Sequence, residues 1–278
     1  MIPPIASRFV AGESTEAAIE HARSRNEMGL RVILNLLGEH YEDPEPARQD
    51  TETYLELIDR IDGQDLEACI SIKPSQLGLD LGEEHFHDHF ADVVDRASDR
   101  DVFVWIDMED HTTTDATLEA YETFATDNEW GLGVCLQANL KRTIEDAERL
   151  ADVPGKVRLV KGAYNEPESV AYQSKARVNE AYRELIEFAF EHFDRGVAIG
   201  SHDPEMIEHA RECHAEYGTD FEYQMLMGVR EDAQRELARD HEVWQYAPYG
   251  PRWKSYIYRR MVERKENVVF ALRAILGG

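Results

Sequence analysis

Residues 156–164, Lys-Val-Arg-Leu-Val-Lys-Gly-Ala-Tyr, hold a β-prone run that stops at Lys161, Gly162 and Tyr164. A short apolar run closed by a glycine reads as a buried strand with polar groups at its C-terminal end. The pattern recurs. Residues 30–36, 68–73, 102–107, 131–137, 156–161, 197–201, 221–226 and 243–247 make eight such runs. Helix-like amphipathic stretches lie between them, at 50–61, 114–126, 143–150, 178–190, 205–215 and 232–240. This alternation predicts an α/β chain with parallel strands joined by helical crossovers. Eight repeats predict a closed (β/α)8 TIM-like barrel. The rival is an open doubly wound sheet, but no Gly-x-Gly-x-x-Gly opens the helix after the first strand. No linker or low-complexity tract divides the 278 residues, so 1–278 is read as a single domain.

A barrel of this kind collects its chemistry at the C-terminal ends of its strands. Glu39 follows the first run, Lys73 ends the second, and Asp107 with Glu109 closes the third. Gln137 ends the fourth, Lys161 the fifth with Tyr164 beyond it, His202 follows the sixth, and Tyr246 closes the eighth. Leu226 and Met227 at the seventh predict one apolar wall. Any one of these residues alone reads better as a cap or a satisfied loop group; their shared register points to one site.

Residues 246–263 read Tyr-Ala-Pro-Tyr-Gly-Pro-Arg-Trp-Lys-Ser-Tyr-Ile-Tyr-Arg-Arg-Met-Val-Glu. Gly250 and Pro251 suit a turn and a helix start, which places Tyr256, Arg259, Arg260 and Glu263 on one face at i, i+3, i+4 and i+7. Two guanidiniums beside phenols suit a small carboxylate, because Arg pairs bidentately and keeps its charge. A solvated face of surface ion pairs is the equal alternative.

The chain carries 56 acidic against 30 basic residues, a net charge of -26. Nucleic acid is excluded as a natural partner, and anionic membrane surfaces are disfavoured. With 42% hydrophobic residues, this acidity does not read as disorder. It reads as halophilic, since a self-repelling surface is screened at molar salt, where the Debye length is about 3 Å. No apolar run reaches membrane-span length and no secretory signal opens the chain, so the expected compartment is cytoplasmic. Cys69, Cys135 and Cys213 are odd in number and widely spaced, which argues for reduced thiols. His85, His87 and His89 alternate after the second run, but on a helix only His85 and His89 share a face, so no metal site is expected.

Several segments together resemble the proline dehydrogenase family. They are Ser-Ile-Lys-Pro-Ser (71–75), Trp-Ile-Asp-Met-Glu (105–109), Gln137, Val-Arg-Leu-Val-Lys-Gly-Ala-Tyr (157–164), Gly-Ser-His-Asp (200–203), Phe-Glu-Tyr-Gln-Met-Leu-Met-Gly (221–228) and the 246–263 run. Their order at successive strand ends spans nearly the whole chain. Arg-Phe-Val-Ala-Gly (8–12) and Leu-Leu-Gly-Glu (36–39) resemble the short monofunctional branch, with no room for the aldehyde dehydrogenase domain of bifunctional members. The resemblance implies an FAD enzyme that oxidises L-proline to Δ1-pyrroline-5-carboxylate, the first step of proline catabolism. It also implies hydride transfer from substrate C5 to flavin N5 and electrons passed to a membrane quinone, which leaves a peripheral position at the inner membrane face open.

Carried over residue by residue, Arg259, Arg260 and Lys73 match the residues that hold the substrate carboxylate. Tyr246, Tyr256 and Leu226 match the walls around the ring. Asp107 and Tyr164 match supporting polar groups, and Glu263 would orient the arginine pair. Glu39 matches a carboxylate that pairs with Arg259 as a gate. Gln137, Arg158, Val160, Lys161, Gly162, Ser201 and His202 match positions that line the flavin, with Ser201 where many members have Thr. The short stretch before Arg8 implies a reduced N-terminal lid.

The reaction asks the protein mainly for positioning and desolvation, with Arg158 available to stabilise negative charge on the reduced ring system. No residue is required as a general base. Two other functions stay open on the residues alone: a Schiff-base lyase using Lys73 or Lys161, and a non-catalytic proline sensor.

Overall fold

In a computed structural model that describes residue 3 and residues 6–127 and 131–257, eight parallel strands close into a barrel in chain order. They are β1 (Arg31–Leu36), β2 (Ala68–Ile72), β3 (Val104–Ile106), β4 (Leu132–Gln137), β5 (Lys156–Val160), β6 (Val197–Ile199), β7 (Phe221–Leu226) and β8 (Val243–Tyr249). Closure is made by β8 lying parallel to β1 from Arg31↔Trp244 to Leu36↔Tyr249. The connecting helices are α2 (Pro44–Asp62), α3 (Glu83–Asp99), α4 (Thr114–Asp127), α5 (Thr143–Leu150), α6 (Lys175–His192), α7 (Pro204–Tyr217) and α8 (Glu231–Leu237). The eight expected runs coincide with the eight strands. The last of them runs two residues further than its apolar pattern, because Pro248 and Tyr249 pair with Asn35 and Leu36.

Helix starts are set by caps rather than by the first apolar residue. Asp43 accepts a hydrogen bond from the Glu45 amide at 2.9 Å and Pro44 takes the first helical turn, so α2 begins well before the expected position 50. Ser174 caps α6 and Asp203, followed by Pro204, caps α7 in the same way. The periodicity pointed to no helix before the first strand. The structure has one, α1 (Thr15–Asn26), whose buried face is only Thr15, Ala18, Ile19 and Ala22, too small and weakly apolar to stand out in sequence. The His-rich tract lies in the first turns of α3. There His89 Nδ1 donates to the Leu77 carbonyl at 2.9 Å and His87 packs edge-on to Phe86 and Phe124. No metal-ligating group of His, Cys, Asp or Glu occurs among the described residues.

Strand alternation divides the core in two. Outward side chains such as Val32, Leu34, Ile70, Val104, Val134, Leu159 and Met225 pack under the helices. Inward side chains fill the lumen, where Ile33, Cys69, Trp105 and Ala198 form a separate cluster flanked by Phe103, Trp244 and Tyr246. Cys69, Cys135 and Cys213 are buried free thiols. Gly133 makes room for the largest lumen side chain. A Cβ at Gly133 would lie 2.5 Å from Cζ3 and 2.6 Å from Cε3 of Trp105, whereas one at Gly131 meets nothing within 4 Å. Gly133→Ala is therefore expected to destabilise by about 1–3 kcal/mol through overpacking. Gly131→Ala serves as a near-neutral control, both read from urea midpoints.

Candidate functional site

The period-2 alternation that fills the lumen carries the next inward residue of several strands to the barrel mouth. β2 presents Ser71 and, just past its end, Lys73. Asp107 lies just beyond β3, Arg158 on β5 and Tyr246 on β8. Asp107, only 8% exposed, accepts from all four. Ser71 Oγ reaches Oδ1 at 2.7 Å, Lys73 Nζ reaches Oδ2 at 3.1 Å and Tyr246 OH reaches Oδ2 at 2.6 Å. The Arg158 guanidinium completes the set at Oδ1.

Burial alone would raise the Asp107 pKa. The Lys73 and Arg158 charges and the hydrogen bonds from Tyr246 and Ser71 overcome it and hold the carboxyl well below the usual range. Burial opposes charge on Lys73, yet Asp107 lifts its pKa well above that of an ordinary lysine. Arg158 is likewise pushed up, against burial, chiefly by Asp107. Burial raises the Tyr246 phenol, and it pushes Tyr164 up to about 12. Asp107 is thus shared by two cations, Lys73 and Arg158.

Arg158 is 4% exposed and held from below as well as above. Its Nη1 donates to Gln224 Oε1 at 3.2 Å, Gln224 Nε2 donates to Glu222 at 2.7 Å, and Lys156 Nζ pairs with Glu222 at 2.6 Å. This relay runs the length of the lumen. Indole and phenol faces flank the guanidinium, its carbon lying 5.1 Å from the Trp105 ring and 5.7 Å from the Tyr246 ring.

Other strand-end residues take different places. Glu109 is fully buried and accepts from the Ser75 amide and hydroxyl, both at 2.7 Å, so it braces the loop after Lys73; burial raises its pKa. Gln137 donates to the Glu109 carbonyl at 2.6 Å. Lys161 Nζ points to Asn179 and Asp203, each at 2.6 Å. His202 Nε2 accepts from the Leu226 amide at 3.0 Å, which puts the ring proton on Nδ1 and ties the end of β6 to the end of β7. The Ser201 hydroxyl accepts from the Asp203 amide at 3.1 Å.

Val160, Lys161 and Gly162 are partly exposed at the rim. Gly162 has φ +101, and a Cβ there would run into the Asn139 amide. Asn139 Oδ1 is buried without a hydrogen-bond partner among the described residues. An orphaned acceptor on this rim suits a ligand that brings a hydrogen-bond donor to it. Glu39, Leu226 and Tyr256 are partly buried. Arg259, Arg260 and Glu263 lie outside the described residues, and with them the Glu39–Arg259 gate and the arginine grip.

The structure brings Lys73, Asp107, Arg158 and Tyr246 together. The sequence reading gave no role to Ser71, Gln224 or Glu222. Each sits at an even spacing below a singled-out strand-end residue, at 71 below 73 and at 224 and 222 below 226, and that parity was the available signal.

The family model for proline dehydrogenase matches residues 18–273. Proline dehydrogenase of Deinococcus radiodurans is 35% identical over 286 residues, covering 99% of this chain and 91% of its own. Proline dehydrogenase 1 of Bacillus subtilis (strain 168) is 35% identical over 275 residues, with 98% and 90% covered. Among solved structures, proline utilization A from Bdellovibrio bacteriovorus, inactivated by N-propargylglycine, superposes with a TM-score of 0.85 at 21% identity. It is matched over 93% of this chain but only 32% of its own, and at that identity the likeness concerns the fold.

Asp107→Asn should leave Lys73 and Arg158 without their counter-charge, with an expected loss of about 3–5 kcal/mol of stability. Because the folded Asp107 pKa lies below the unfolded one, its contribution is complete above about pH 4 and fades as pH falls further. Urea midpoints measured from pH 6 down to about pH 2 should therefore fall less steeply for the variant than for the parent.

Proposed function

This chain belongs to the proline dehydrogenase family and is an oxidoreductase acting on a CH–NH donor, and from that premise we propose that it oxidises L-proline to Δ1-pyrroline-5-carboxylate with FAD. The observation that carries the reading is the pair of permanently charged cations, Lys73 and Arg158, on the single carboxylate of Asp107. Two cations on one carboxylate in a buried, aromatic-walled mouth suit a small carboxylate and the negative charge that develops as a flavin is reduced.

FAD, when bound, supplies the hydride acceptor for the C5 hydrogen of proline and hands the electrons on to a quinone-type acceptor. Gln137, Arg158, Val160, Lys161, Gly162, Ser201 and His202 would hold it. Lys73, Arg259 and Arg260 would grip the substrate carboxylate, with Glu263 orienting the arginines and Glu39 closing over the site through Arg259. Tyr246, Tyr256 and Leu226 would wall the ring, exclude water and favour a five-membered ring over bulkier side chains. Asp107 and Tyr164 support that pocket. No helix among the described residues is long and apolar enough to cross a membrane.

A Schiff-base lyase needs a neutral amine at a strand end. Lys73 is held as ammonium by Asp107, and Lys161 is bonded to Asn179 and Asp203. The geometry favours the dehydrogenase.

The direct test is a visible spectrum of the protein purified in molar salt, followed by anaerobic L-proline. Flavin absorption that bleaches with L-proline and not with unrelated amino acids supports the reading. A protein that stays colourless after FAD is supplied defeats it, and proline binding without bleaching would point to a sensor. Lys73, Arg158, Tyr246 and Tyr164 are all shifted upward and Asp107 downward, so Lys73, Arg158 and Asp107 stay charged and both phenols stay neutral through the neutral range. The pH dependence should then belong to proline, which must lose its ammonium proton. kcat/KM is expected to rise about tenfold per pH unit until the free amine predominates; a flat profile from mildly acidic to alkaline pH would contradict this.

A further inference from the structure

The loop between β5 and α6, residues 161–174, leaves the rim at Lys161 and Gly162 and carries Tyr164. One of its charged residues is buried. Glu166 is 7% exposed, although Asn165 and Pro167 on either side of it are exposed. Its carboxylate turns to the loop after β3, where Oε1 accepts from the His111 amide at 2.9 Å and Oε2 meets His111 Nδ1 at 2.5 Å. An ionised carboxylate only accepts, which puts a ring proton on Nδ1. The loop that carries His111 begins at Asp107, so this contact ties together two loops that both supply residues to the mouth.

Further contacts hold the remainder of the β5 loop. Gln173 Nε2 donates to the Glu166 carbonyl at 3.1 Å and to the Ala171 carbonyl at 3.2 Å, which closes the segment between them. The Lys141 amide donates to the Val170 carbonyl at 2.9 Å and the Tyr172 amide to the Asn139 carbonyl at 2.8 Å. These bonds make an antiparallel bridge of Leu140 and Ala171 that lays the far end of the loop on the loop after β4. At the near end, Gly162 holds φ +101 and admits no side chain, because a Cβ would run into the Asn139 amide. Tyr164 therefore lies between two fixed points, Gly162 and Glu166. Its phenol feels the charges of Lys73, Glu109, Asp107 and Asp110, so it faces the mouth.

We propose that Glu166 is a positioning residue for substrate binding: its two hydrogen bonds to His111 hold the Tyr164 segment against the mouth, so that the phenol completes the pocket beside Lys73. This rests on the proposed proline dehydrogenase reading of the site. The carboxylate is taken up by His111, so its effect reaches the substrate through the placement of Tyr164. A buried carboxylate requires such partners, and on this loop only the β3 loop supplies them. Releasing Glu166 lowers the fraction of molecules with Tyr164 in place, and that loss appears in KM while bound substrate reacts as before.

Steady-state kinetics of Glu166→Ala, Glu166→Gln, His111→Ala, Tyr164→Ala and the Glu166→Ala/Tyr164→Ala double variant test it, with flavin content and thermal midpoints taken alongside. Expected in Glu166→Ala is a rise in KM for L-proline of about fivefold or more, with kcat per bound flavin within about twofold. Glu166→Gln should recover part of the loss, because it keeps an acceptor for the His111 amide. The double variant should be no worse than Tyr164→Ala, since Glu166 then has no phenol left to place. His111 is partly exposed, so His111→Ala, which removes only the ring's bond, reports even if Glu166→Ala folds poorly, with an expected KM rise of about twofold or more. Unchanged KM in whichever of these variants folds overturns the proposal, as does a loss confined to kcat, flavin content or thermal midpoint, or an effect that adds fully to that of Tyr164→Ala. A parent protein that does not oxidise proline would instead defeat the functional reading, a separate outcome visible before any variant is made.

Discussion

The site depends on one buried carboxylate shared by two cations. Lys73 and Arg158 could not both be held in a water-poor barrel mouth without Asp107, since desolvating an unpaired charge costs several kcal/mol (~). Its four partners come from β2, β5, β8 and the loop after β2, so the cluster exists only when the barrel has closed. Barrel closure and site assembly are therefore one event: Tyr246 reaches Asp107 only because β8 lies against β1 and brings the chain's last strand beside its first.

The lumen below carries this constraint downward. Arg158 is fixed through Gln224 and Glu222 to Lys156, and packed between Trp105 and Tyr246, so it enters the mouth with its direction already set. The loops above are fixed in a similar way. Glu109 binds the β2 loop through Ser75, and His111 meets Glu166 to join the β3 loop to the β5 loop. A reaction that requires little proton transfer from the protein is well served by this arrangement, because most of the work lies in placing substrate against cofactor and keeping water out.

The strands were legible because buried parallel strands read as apolar runs, and the polar residues at their C-terminal ends marked Lys73, Asp107 and Tyr246. Residues one pleat deeper were harder to see. Ser71 and Gln224 lie inside apolar runs, where a polar residue looks like tolerated variation until its partner is seen. Glu166 and His111 were less visible still. Each sits in a loop, the two lie 55 positions apart, and no local pattern links them. The small apolar face of α1 and the cap-determined starts of α2 and α6 escaped for a related reason: periodicity registers apolar burial, whereas these features depend on small side chains and backbone hydrogen bonds.

The sequence by itself determined the eightfold alternation, the polar register of the strand ends and the family, because these are written in local residue order. Tertiary structure alone decided which of those polar residues share a counter-ion. Asp107 gathers Lys73, Arg158 and Tyr246, while Lys161 turns to Asp203 and Glu109 to Ser75. The physical reason is that a buried charge takes whichever partner the closed barrel brings within hydrogen-bond reach, and that distance depends on strand register and loop path across the whole chain.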